Sequence, residues 1–337
     1  MSSSAELIIE IGQAHDGSLG ILHSYIDAFS KAGADVIKFQ MHLAEAESSE
    51  FEPFRVNFSY EDKTRYDYWQ RMSFTFEQWQ GIKSHCDEVG VEFLCTPFSM
   101  KALDWLEQLN VKRHKIASGE VTNLLMLDML AEIGKPVLLS SGMSNFLEMD
   151  NAVSIFRGKG VETSVFQCTT SYPTPPERVG INVLAQLKER YNCPIGLSDH
   201  SGSIFPALAA VSQGAEMVEV HGVFDKGLFG PDSSSSLTIS EIQTLRQGFD
   251  FIGKMHQSPV NKDDIDQYKD LKKMFGKSLG VRADLPKDHI ITRADLEAKK
   301  SDGRGIDASD YYQVIGKKLT CDKAANSVLA LADIEEI

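Results

Sequence analysis

Two histidines follow short apolar segments that have the composition of buried strands. His200 comes directly after PIGLSD, and His221 lies near the end of MVEVHG. If these segments are neighbouring strands of one sheet, the two imidazoles could converge at its edge. Neutral imidazoles are good ligands for a divalent metal, with water and a substrate oxygen in the open positions. The alternative is that each histidine forms an ordinary hydrogen bond in the core.

Two lysines lie inside similar apolar segments, Lys38 in VIKFQ and Lys115 in HKIAS. A lysine near the end of a strand is usually a solvated surface charge, which is one interpretation. However, a buried ammonium group without a partner would cost several kcal/mol. The other interpretation is therefore that both lysines bracket an anion, with hydroxyl groups donating to its oxygens. The candidate donors are Thr96, Ser118 and Ser198.

The elements that would position these residues alternate regularly along the chain. Eight apolar segments predict strands at 7–12, 36–40, 91–96, 114–118, 136–141, 164–169, 194–199 and 217–222, and helical periodicity separates them. Eight strands alternating with helices over about 250 residues are typical of an α/β fold, the (β/α)8 TIM barrel. An open doubly wound sheet is the alternative, but the first strand is followed by GQAHDG and not by G-x-G-x-x-G.

The connection after the second predicted strand, residues 41–75, is unusually long and rich in aromatic residues and arginines. Long loops in compact domains are usually functional or disordered, and the aromatic content argues against disorder. On a barrel, this connection would lie at the catalytic face.

The pattern of predicted secondary structure changes near the C-terminus. A last barrel helix is predicted from about Ser240 to Met255, and polar residues after it indicate a linker. From Gly276 onward, short β-like segments with turn signals predict a small β-rich domain. The predicted organisation is a barrel over residues 1–258, a linker over 259–275 and a second domain over 276–337.

Charge and cysteine content exclude several classes of function. The formal net charge is −14 at pH 7 over 337 residues. This acidity disfavours nucleic acid and anionic membranes as partners. The five cysteines are widely spaced and form no C-x-x-C pair, so we expect reduced, structural thiols. No signal-like or membrane-spanning segment is apparent, and we expect a cytoplasmic protein.

Eight short motifs occur in a fixed order along the chain: EIGQAHDG, GADVIKFQ, FLCTPFS, KIASGE, LSSGMS, QCTTSYPTP, GLSDHS and EVHGVFD. Together they resemble the sialic acid synthase (N-acetylneuraminate synthase) family. The C-terminal segments GVRADLPKDHIITRADLEAKK and YYQVIGKKLT resemble the antifreeze-like (SAF) domain of these enzymes. The resemblance covers nearly the whole chain.

The resemblance implies a C–C bond-forming transferase that condenses phosphoenolpyruvate with an amino-sugar aldehyde, N-acetylmannosamine or its phosphate. The products would be a nine-carbon 3-deoxy-2-keto sugar acid and phosphate. It also implies a homodimer in which the antifreeze-like domain of one subunit covers the barrel mouth of the other. His200 and His221 match the family's ligands for manganese or magnesium, which would polarise the aldehyde oxygen.

The remaining site residues are also implied by the resemblance. Those matching positions that hold phosphoenolpyruvate are Lys38, Thr96, Lys115, Ser118 and Ser198. Those matching positions near the sugar are Gln40, Glu120, Tyr172 and Asp232. Glu10 matches a carboxylate that could orient the attacking water or the metal-bound oxygen.

Three features depart from the family's pattern. Thr170 stands where many bacterial members have an asparagine that donates to the phosphate. In KKSDGRGI the family's sugar-contacting arginine falls on Ser301, and Arg304 is displaced by three residues. The aromatic-rich connection 41–75 allows another acceptor, such as a diacetamido sugar of the legionaminic or pseudaminic acid pathway, or a hexose. No obvious pocket for a sugar phosphate is apparent, which favours an unphosphorylated acceptor.

Two other classes of function remain as alternatives. A metal-dependent sugar isomerase or aldolase on the same barrel would need no anion site, whereas this sequence has both Lys38 and Lys115. A non-catalytic carbohydrate-binding or ice-binding protein would not need the two histidines, and both are present.

Overall fold

The structure is a computed structural model that describes residues 5–56 and 58–335. The chain divides into two units, Met1–Ser258 and Pro259–Ile337. Each unit has a hydrophobic core of its own.

The first unit is built around eight parallel strands. They are β1 (Glu6–Glu10), β2 (Val36–Met41), β3 (Glu92–Pro97), β4 (His114–Ile116), β5 (Val137–Ser140), β6 (Thr163–Cys168), β7 (Ile195–Asp199) and β8 (Met217–Val223). Hydrogen bonds join them in the order β3-β2-β1-β8-β7-β6-β5-β4, and the end strands β3 and β4 lie side by side. A short strand, β9 (Leu237–Thr238), pairs with β8. The sheet is thus a nearly closed barrel, which confirms the predicted fold class.

Inside the barrel, side chains change from apolar to polar along the strands. One cluster, separate from the core under the helices, consists of Ile8, Val36, Leu94, Leu138, Phe166 and Met217. Gly196 leaves room for this layer, because a Cβ there would lie 2.5 Å from the Phe166 ring. Residues two positions apart in a strand face the same side. The next inward-facing residues are Glu10, Lys38, Thr96, Ser140, Cys168 and Glu219. A polar layer therefore lies toward the carboxyl ends of the strands.

Helices cover the outside of the barrel. In chain order the helices of this unit are α1 (Leu19–Ala32), α2 (Ala44–Glu47), α3 (Arg65–Met72), α4 (Phe76–Val89), α5 (Met100–Gln108), α6 (Leu124–Ile133), α7 (Phe146–Gly158), α8 (Ile181–Tyr191), α9 (Phe205–Ser212) and α10 (Ile239–Gln257). Helix α4 illustrates the local signals: it begins at a capping box between Thr75 and Gln78 and ends at Gly90, whose φ is 79°.

The long connection 41–75 folds over the carboxyl end of β2 and contains α2 and α3. Its buried residues Ala44, Tyr68, Trp69 and Met72 form a small cluster, against which Phe54, Phe58 and Tyr66 pack. Arg71 ties the segment to both Asp62 and Asp16. The aromatic residues of this connection thus form an ordered layer, as their number in the sequence predicted.

The second unit contains β10 (Lys277–Val281) and β11 (Leu296–Lys300), which pair antiparallel. Further isolated bridges, such as Gly280 with Val328, link its irregular segments. Its core includes Leu279, Val281, Ile291 and Val314. Helix α11 (Lys269–Phe275) lies within the predicted linker, and α12 (Tyr311–Val314) follows β11. The antifreeze-like identity of this unit stays a prediction.

Two further features concern the whole described chain. Every helix within residues 5–56 and 58–335 is too short or too polar to span a bilayer. Cys86, Cys95, Cys168, Cys193 and Cys321 are all free thiols.

Candidate active site

A cavity of about 550 Å³ opens at the carboxyl ends of the barrel strands. The polar layer of the barrel interior forms its base. The connection 41–75 and the loops that follow β6 and β8 form its upper wall, and every lining residue belongs to the first unit.

Lys38 lies at the base of the cavity between two carboxylates. Its Nζ donates a hydrogen bond to Glu10 Oε2 and lies 3.4 Å from Glu219 Oε1. Burial opposes the charged form of Lys38, but Glu10 and Glu219 outweigh burial and raise the pKa of this ammonium group. Lys38 therefore keeps its positive charge at neutral pH.

Lys115 is 1% exposed and approaches the same carboxylate from another strand. Its Nζ donates a hydrogen bond to Ser140 Oγ and lies 3.5 Å from Glu219 Oε2. Burial lowers the pKa of Lys115, and Glu219 partly offsets this effect. Burial alone would raise the pKa of Glu219, but Lys115 and Lys38 outweigh it and lower that pKa. Glu219 therefore bridges the two lysines as an anion.

Hydroxyl groups line the cavity close to the lysines. A Cβ on Gly142 would lie 2.5 Å from both Ser118 Oγ and Thr170 Oγ1, so this glycine leaves space where the two hydroxyls converge. Ser198 Oγ donates to Glu219 Oε1 at 3.1 Å. Together, the ammonium and hydroxyl groups are the donors that an oxyanion ligand requires.

His200 and His221 lie together beside this base, with their ring centroids 5.3 Å apart. His200 Nδ1 donates to the carbonyl oxygen of Thr169 at 3.0 Å, which leaves a lone pair on Nε2. The Tyr172 hydroxyl donates to that nitrogen at 3.1 Å. Burial and the neighbouring His221 lower the pKa of His200 to about 4, so its ring is neutral at pH 7.

The donor set of the histidine pair fits a divalent metal. A backbone carbonyl that fixes the tautomer of a histidine is a common feature of metal-ligating imidazoles. Glu10 Oε1 is buried without a hydrogen-bond partner, and a Cβ on Gly12 would lie 3.6 Å from it and 3.7 Å from His221 Nδ1. Among the described residues, no three His, Cys, Asp or Glu side chains gather as metal ligands. The protein would thus supply two ligands and leave other positions to water or substrate.

Two arginines of the upper wall contact carboxylates. Arg55 links residues 41–75 to the loop after β8, and Arg65 forms its contact within residues 41–75. Arg55 Nη2 donates to Asp232 Oδ1 at 2.6 Å, and its guanidinium group lies 4.1 Å from the centroid of the Tyr172 ring. Arg65 lies 4.0 Å from the centroid of Trp69, and its Nε is 3.5 Å from Glu52 Oε1.

A polar network occupies the wall above β1 and β2. Gln13 Nε2 donates to Gln40 Oε1 at 2.6 Å and lies 3.1 Å from His42 Nε2. His42 Nδ1 donates to Glu47 Oε1 at 2.6 Å. The His42 ring is stacked between Trp69 and Phe98, with centroid distances of 3.6 and 4.4 Å. These contacts hold amide and carboxylate groups in fixed positions along the wall.

Comparison with known proteins decides the family of this chain. A sequence profile of the NeuB family matches residues 25–260, which is more than half of the chain. The chain belongs to the NeuB family. The N,N'-diacetyllegionaminic acid synthase of Campylobacter jejuni is 30% identical over 93% of this chain and 95% of its own length. The human N-acetylneuraminate-9-phosphate synthase is 29% identical, over 93% of this chain and 88% of its own. The prediction that the chain is an enzyme is thereby confirmed.

A solved structure of a bacterial synthetase has the same fold. The crystal structure of N-acetylneuraminic acid synthetase from Leptospira borgpetersenii, in complex with citrate, has a TM-score of 0.70 and 29% sequence identity. The match covers 81% of this chain and 92% of that one.

Most residues predicted from sequence gather at the cavity of this NeuB-family chain. The predicted residues on the wall are Lys38, Gln40, Lys115, Ser118, Glu120, Thr170, Tyr172, Ser198, His200, His221 and Asp232. Glu120 accepts a hydrogen bond from Asn123, and burial raises its pKa. Glu10 and Thr96 are both 0% exposed and lie behind the wall. Arg304 is exposed in the second unit, after β11.

Several wall residues were missed by reasoning from the sequence. Glu219 lies two positions before His221 on β8, so strand alternation places both on the same face. A glutamate in an otherwise apolar strand was the signal available in MVEVHG. Gln13, His42 and Arg55 lie in irregular segments, where no periodicity indicates which side chains face the cavity, and Arg65 is the first residue of the short helix α3.

Proposed function

We propose that this chain condenses phosphoenolpyruvate with an amino-sugar aldehyde of the N-acetylmannosamine type, forming a nine-carbon 3-deoxy-2-keto sugar acid and phosphate. The observation that carries the proposal is the pair of buried lysines, Lys38 and Lys115, on the wall of a cavity beside His200 and His221. The names of the relatives, which are synthases of nonulosonic acids, support the same reaction class.

In this proposal the two lysines bind the phosphate and carboxylate of phosphoenolpyruvate. Each ammonium group has three N–H donors, and the observed contacts leave donors for a ligand. Glu219 fixes both lysines from one side, so they need no large rearrangement when the anion binds. Ser118 and Thr170 add hydroxyl donors at the point that Gly142 leaves open.

The mechanism requires the methylene carbon of phosphoenolpyruvate to attack the aldehyde. Water then adds at the carbon that bears the phosphate, and the tetrahedral adduct collapses to the 2-keto group as its C–O bond to phosphate breaks. Glu10 lies behind the wall, so its part in this step is to hold the ammonium group of Lys38 in position through Oε2. His200 and His221 would hold manganese or magnesium. When bound, such a metal supplies Lewis acidity to the aldehyde oxygen.

The proposal specifies the class of the acceptor, an amino-sugar aldehyde, but not the individual sugar. Gln40, Glu120, Tyr172 and Asp232 line the cavity and offer hydrogen-bonding groups for hydroxyl and acetamido substituents. The Campylobacter relative, named as a diacetyllegionaminic acid synthase, makes a diacetamido sugar the alternative acceptor. The homodimer and the antifreeze-like second domain belong to the proposal as well, and they rest on the motifs. The cytoplasmic location is also proposed, and it rests on the five widely spaced cysteines without a C-x-x-C pair.

The test is phosphate release from phosphoenolpyruvate with a panel of amino-sugar aldehydes, with and without manganese. The proposal predicts release that depends on the acceptor. If metal-replete enzyme releases phosphate with none of the acceptors, the proposal is wrong.

A further inference from the structure

The His42 side chain lies in the cavity wall and is held on both faces of its ring. It is stacked between Trp69 and Phe98, with interplanar angles of 15° and 14°. Trp69 is itself held, because its Nε1 donates to Glu52 Oε1 at 3.1 Å. The two aromatic neighbours leave the imidazole free to turn only within its own plane. Contacts at both ring nitrogens restrict that rotation.

Glu47 fixes one of these nitrogens. Its Oε1 accepts a hydrogen bond from His42 Nδ1 at 2.6 Å, and its Oε2 accepts one from the Leu43 amide at 3.3 Å. Because a carboxylate only accepts hydrogen bonds, Nδ1 carries a proton. The other nitrogen, Nε2, is thereby directed at Gln13 Nε2 and Gln40 Oε1, at 3.1 and 3.0 Å.

The amide of Gln40 is oriented by these contacts. Gln13 Nε2 donates to Gln40 Oε1 at 2.6 Å, and His42 Nε2 lies close to the same oxygen. The carbonyl end of the side chain is therefore turned into the wall. Within residues 5–56 and 58–335, no group accepts a hydrogen bond from Gln40 Nε2. Gln40 is half-buried and lines the cavity, so its NH₂ group is the polar end that a ligand would meet.

We infer that His42 and Glu47 are positioning residues that hold Gln40 with its NH₂ group presented as a hydrogen-bond donor to an oxygen of the sugar acceptor. The inference rests on the proposed function and deepens it, because it adds two residues that act on the acceptor through a third. The complementary partner is an oxygen of a hydroxyl or acetamido group.

The first experiment measures steady-state kinetics of His42→Phe, with manganese saturating and with phosphoenolpyruvate and N-acetylmannosamine varied in turn. A diacetamido sugar replaces N-acetylmannosamine if that is the acceptor the wild type uses. Phenylalanine retains the stacked ring and removes both ring nitrogens, so the fold should persist, and circular dichroism checks this. We expect KM for the sugar to rise about threefold to tenfold and KM for phosphoenolpyruvate to stay within about twofold. An unchanged KM for the sugar would overturn the inference.

The Gln40→Ala background separates a positioning role of His42 from a role in packing alone. If His42 acts through Gln40, adding His42→Phe to Gln40→Ala should raise KM for the sugar by no more than about 1.5-fold. A rise as large as the one in the wild-type background would contradict the inference, because the effect would then not pass through Gln40.

Glu47→Ala tests the other end of the chain of contacts and leaves both aromatic neighbours of His42 in place. We expect KM for the sugar to rise as in His42→Phe, and the double variant to be no worse than His42→Phe alone. Glu45→Ala is the matched control, because Glu45 is exposed on the same short helix, α2, and does not line the cavity. Equal KM values in Glu47→Ala and Glu45→Ala would contradict the role of Glu47.

Gln40→Glu tests the polarity of the contact. The substitution keeps the shape of the side chain and replaces its NH₂ group with an oxygen. We expect KM for the sugar to rise about tenfold or more, and further than in Gln40→Ala, because two acceptor oxygens would then face each other. A wild-type KM would show that Gln40 need not donate, and it would overturn the inference while leaving the proposed function intact. Absence of turnover with every acceptor in the wild-type enzyme would instead refute the proposed function, and the inference with it.

Discussion

Glu219 and Lys115 meet across the barrel interior, with Glu219 Oε2 3.5 Å from Lys115 Nζ. Their strands, β8 and β4, are not neighbours in the sheet. The ion pair therefore spans the base of the cavity. Because Lys38 of β2 contacts the other oxygen of Glu219, one carboxylate fixes two cations from different strands.

Glu219→Gln should destabilise the fold. The substitution leaves buried Lys115 without the carboxylate that contacts it, and breaking a buried pair costs about 3 kcal/mol. Chemical denaturation measures the loss in free energy of unfolding. The control is Glu216→Gln, just before β8, where both partners of the Glu216–Lys188 pair are about half exposed and the cost should be below about 1 kcal/mol. Equal stability of the two variants would contradict the bridging role.

Lys115→Met should weaken the binding of phosphoenolpyruvate selectively. Loss of one charge-assisted hydrogen bond is worth about 1.5–3 kcal/mol, so KM for phosphoenolpyruvate should rise roughly 10-fold to 100-fold. KM for the sugar should change little, and steady-state kinetics with each substrate varied in turn separates the two effects. Lys112→Met, with a side chain that is 78% exposed, provides the control. An unchanged KM for phosphoenolpyruvate would remove Lys115 from the anion site.

His221→Ala should abolish both manganese binding and turnover while the fold stays intact. The substitution removes one of the two imidazoles that would hold the metal, and the third histidine of the wall, His42, is already bonded to Glu47. Titration calorimetry with Mn²⁺ measures the binding, and circular dichroism measures the fold. His85→Ala changes a histidine that pairs with His23 between α1 and α4, so it should bind manganese normally. Undiminished manganese affinity in His221→Ala would refute the metal site.

Stability should fall in acid because of His15. Burial, with His42 and Arg71 nearby, lowers the pKa of His15 to about 3, and its Nδ1 accepts a hydrogen bond from the Gly17 amide. Above pH 6.5 the ring is neutral in both the folded and the unfolded state and contributes nothing. Below that pH, only the unfolded chain takes up the proton, so the free energy of unfolding falls by about 1.4 kcal/mol per pH unit until the folded pKa is reached.

Denaturation curves between pH 7 and 4.5 test this pH dependence. His15→Asn retains an acceptor for the Gly17 amide but no titrating ring, so its stability should depend less on pH in this window. His256→Asn, near the end of α10 and exposed, should leave the wild-type slope unchanged. A wild-type slope in His15→Asn would show that His15 does not cause the effect.

The barrel fold could be predicted from the sequence, and so could the location of the site at one end of the barrel. Both predictions depend on local sequence patterns. Apolar segments such as VIKFQ and HKIAS mark buried strands, and a lysine within them demands a partner. The partner itself could not be predicted. Glu219 lies 181 and 104 residues from Lys38 and Lys115 along the chain, and only closure of the barrel brings them together. Thr96 shows the same limit, because its burial behind the wall depends on its neighbours.

The contacts of the upper wall could not be predicted from the sequence for a different reason. Arg55 contacts Asp232, which is 177 residues away, and neither residue lies in a periodic element. The aromatic content of the connection 41–75 predicted order and a position at the catalytic face. It did not predict that Arg55 and Arg65 would each be paired with a carboxylate, and this pairing decides the charge of the outer cavity.

The most direct test of the proposed reaction follows the carbon that forms the new bond. Phosphoenolpyruvate labelled with ¹³C at its methylene carbon is incubated with the enzyme, manganese and N-acetylmannosamine or a diacetamido analogue, and ¹³C NMR follows the label. The account predicts that the label moves into the ring methylene of a 3-deoxy-2-keto sugar acid as phosphate appears. Label that stays in phosphoenolpyruvate, or that appears in the methyl group of pyruvate, would contradict it.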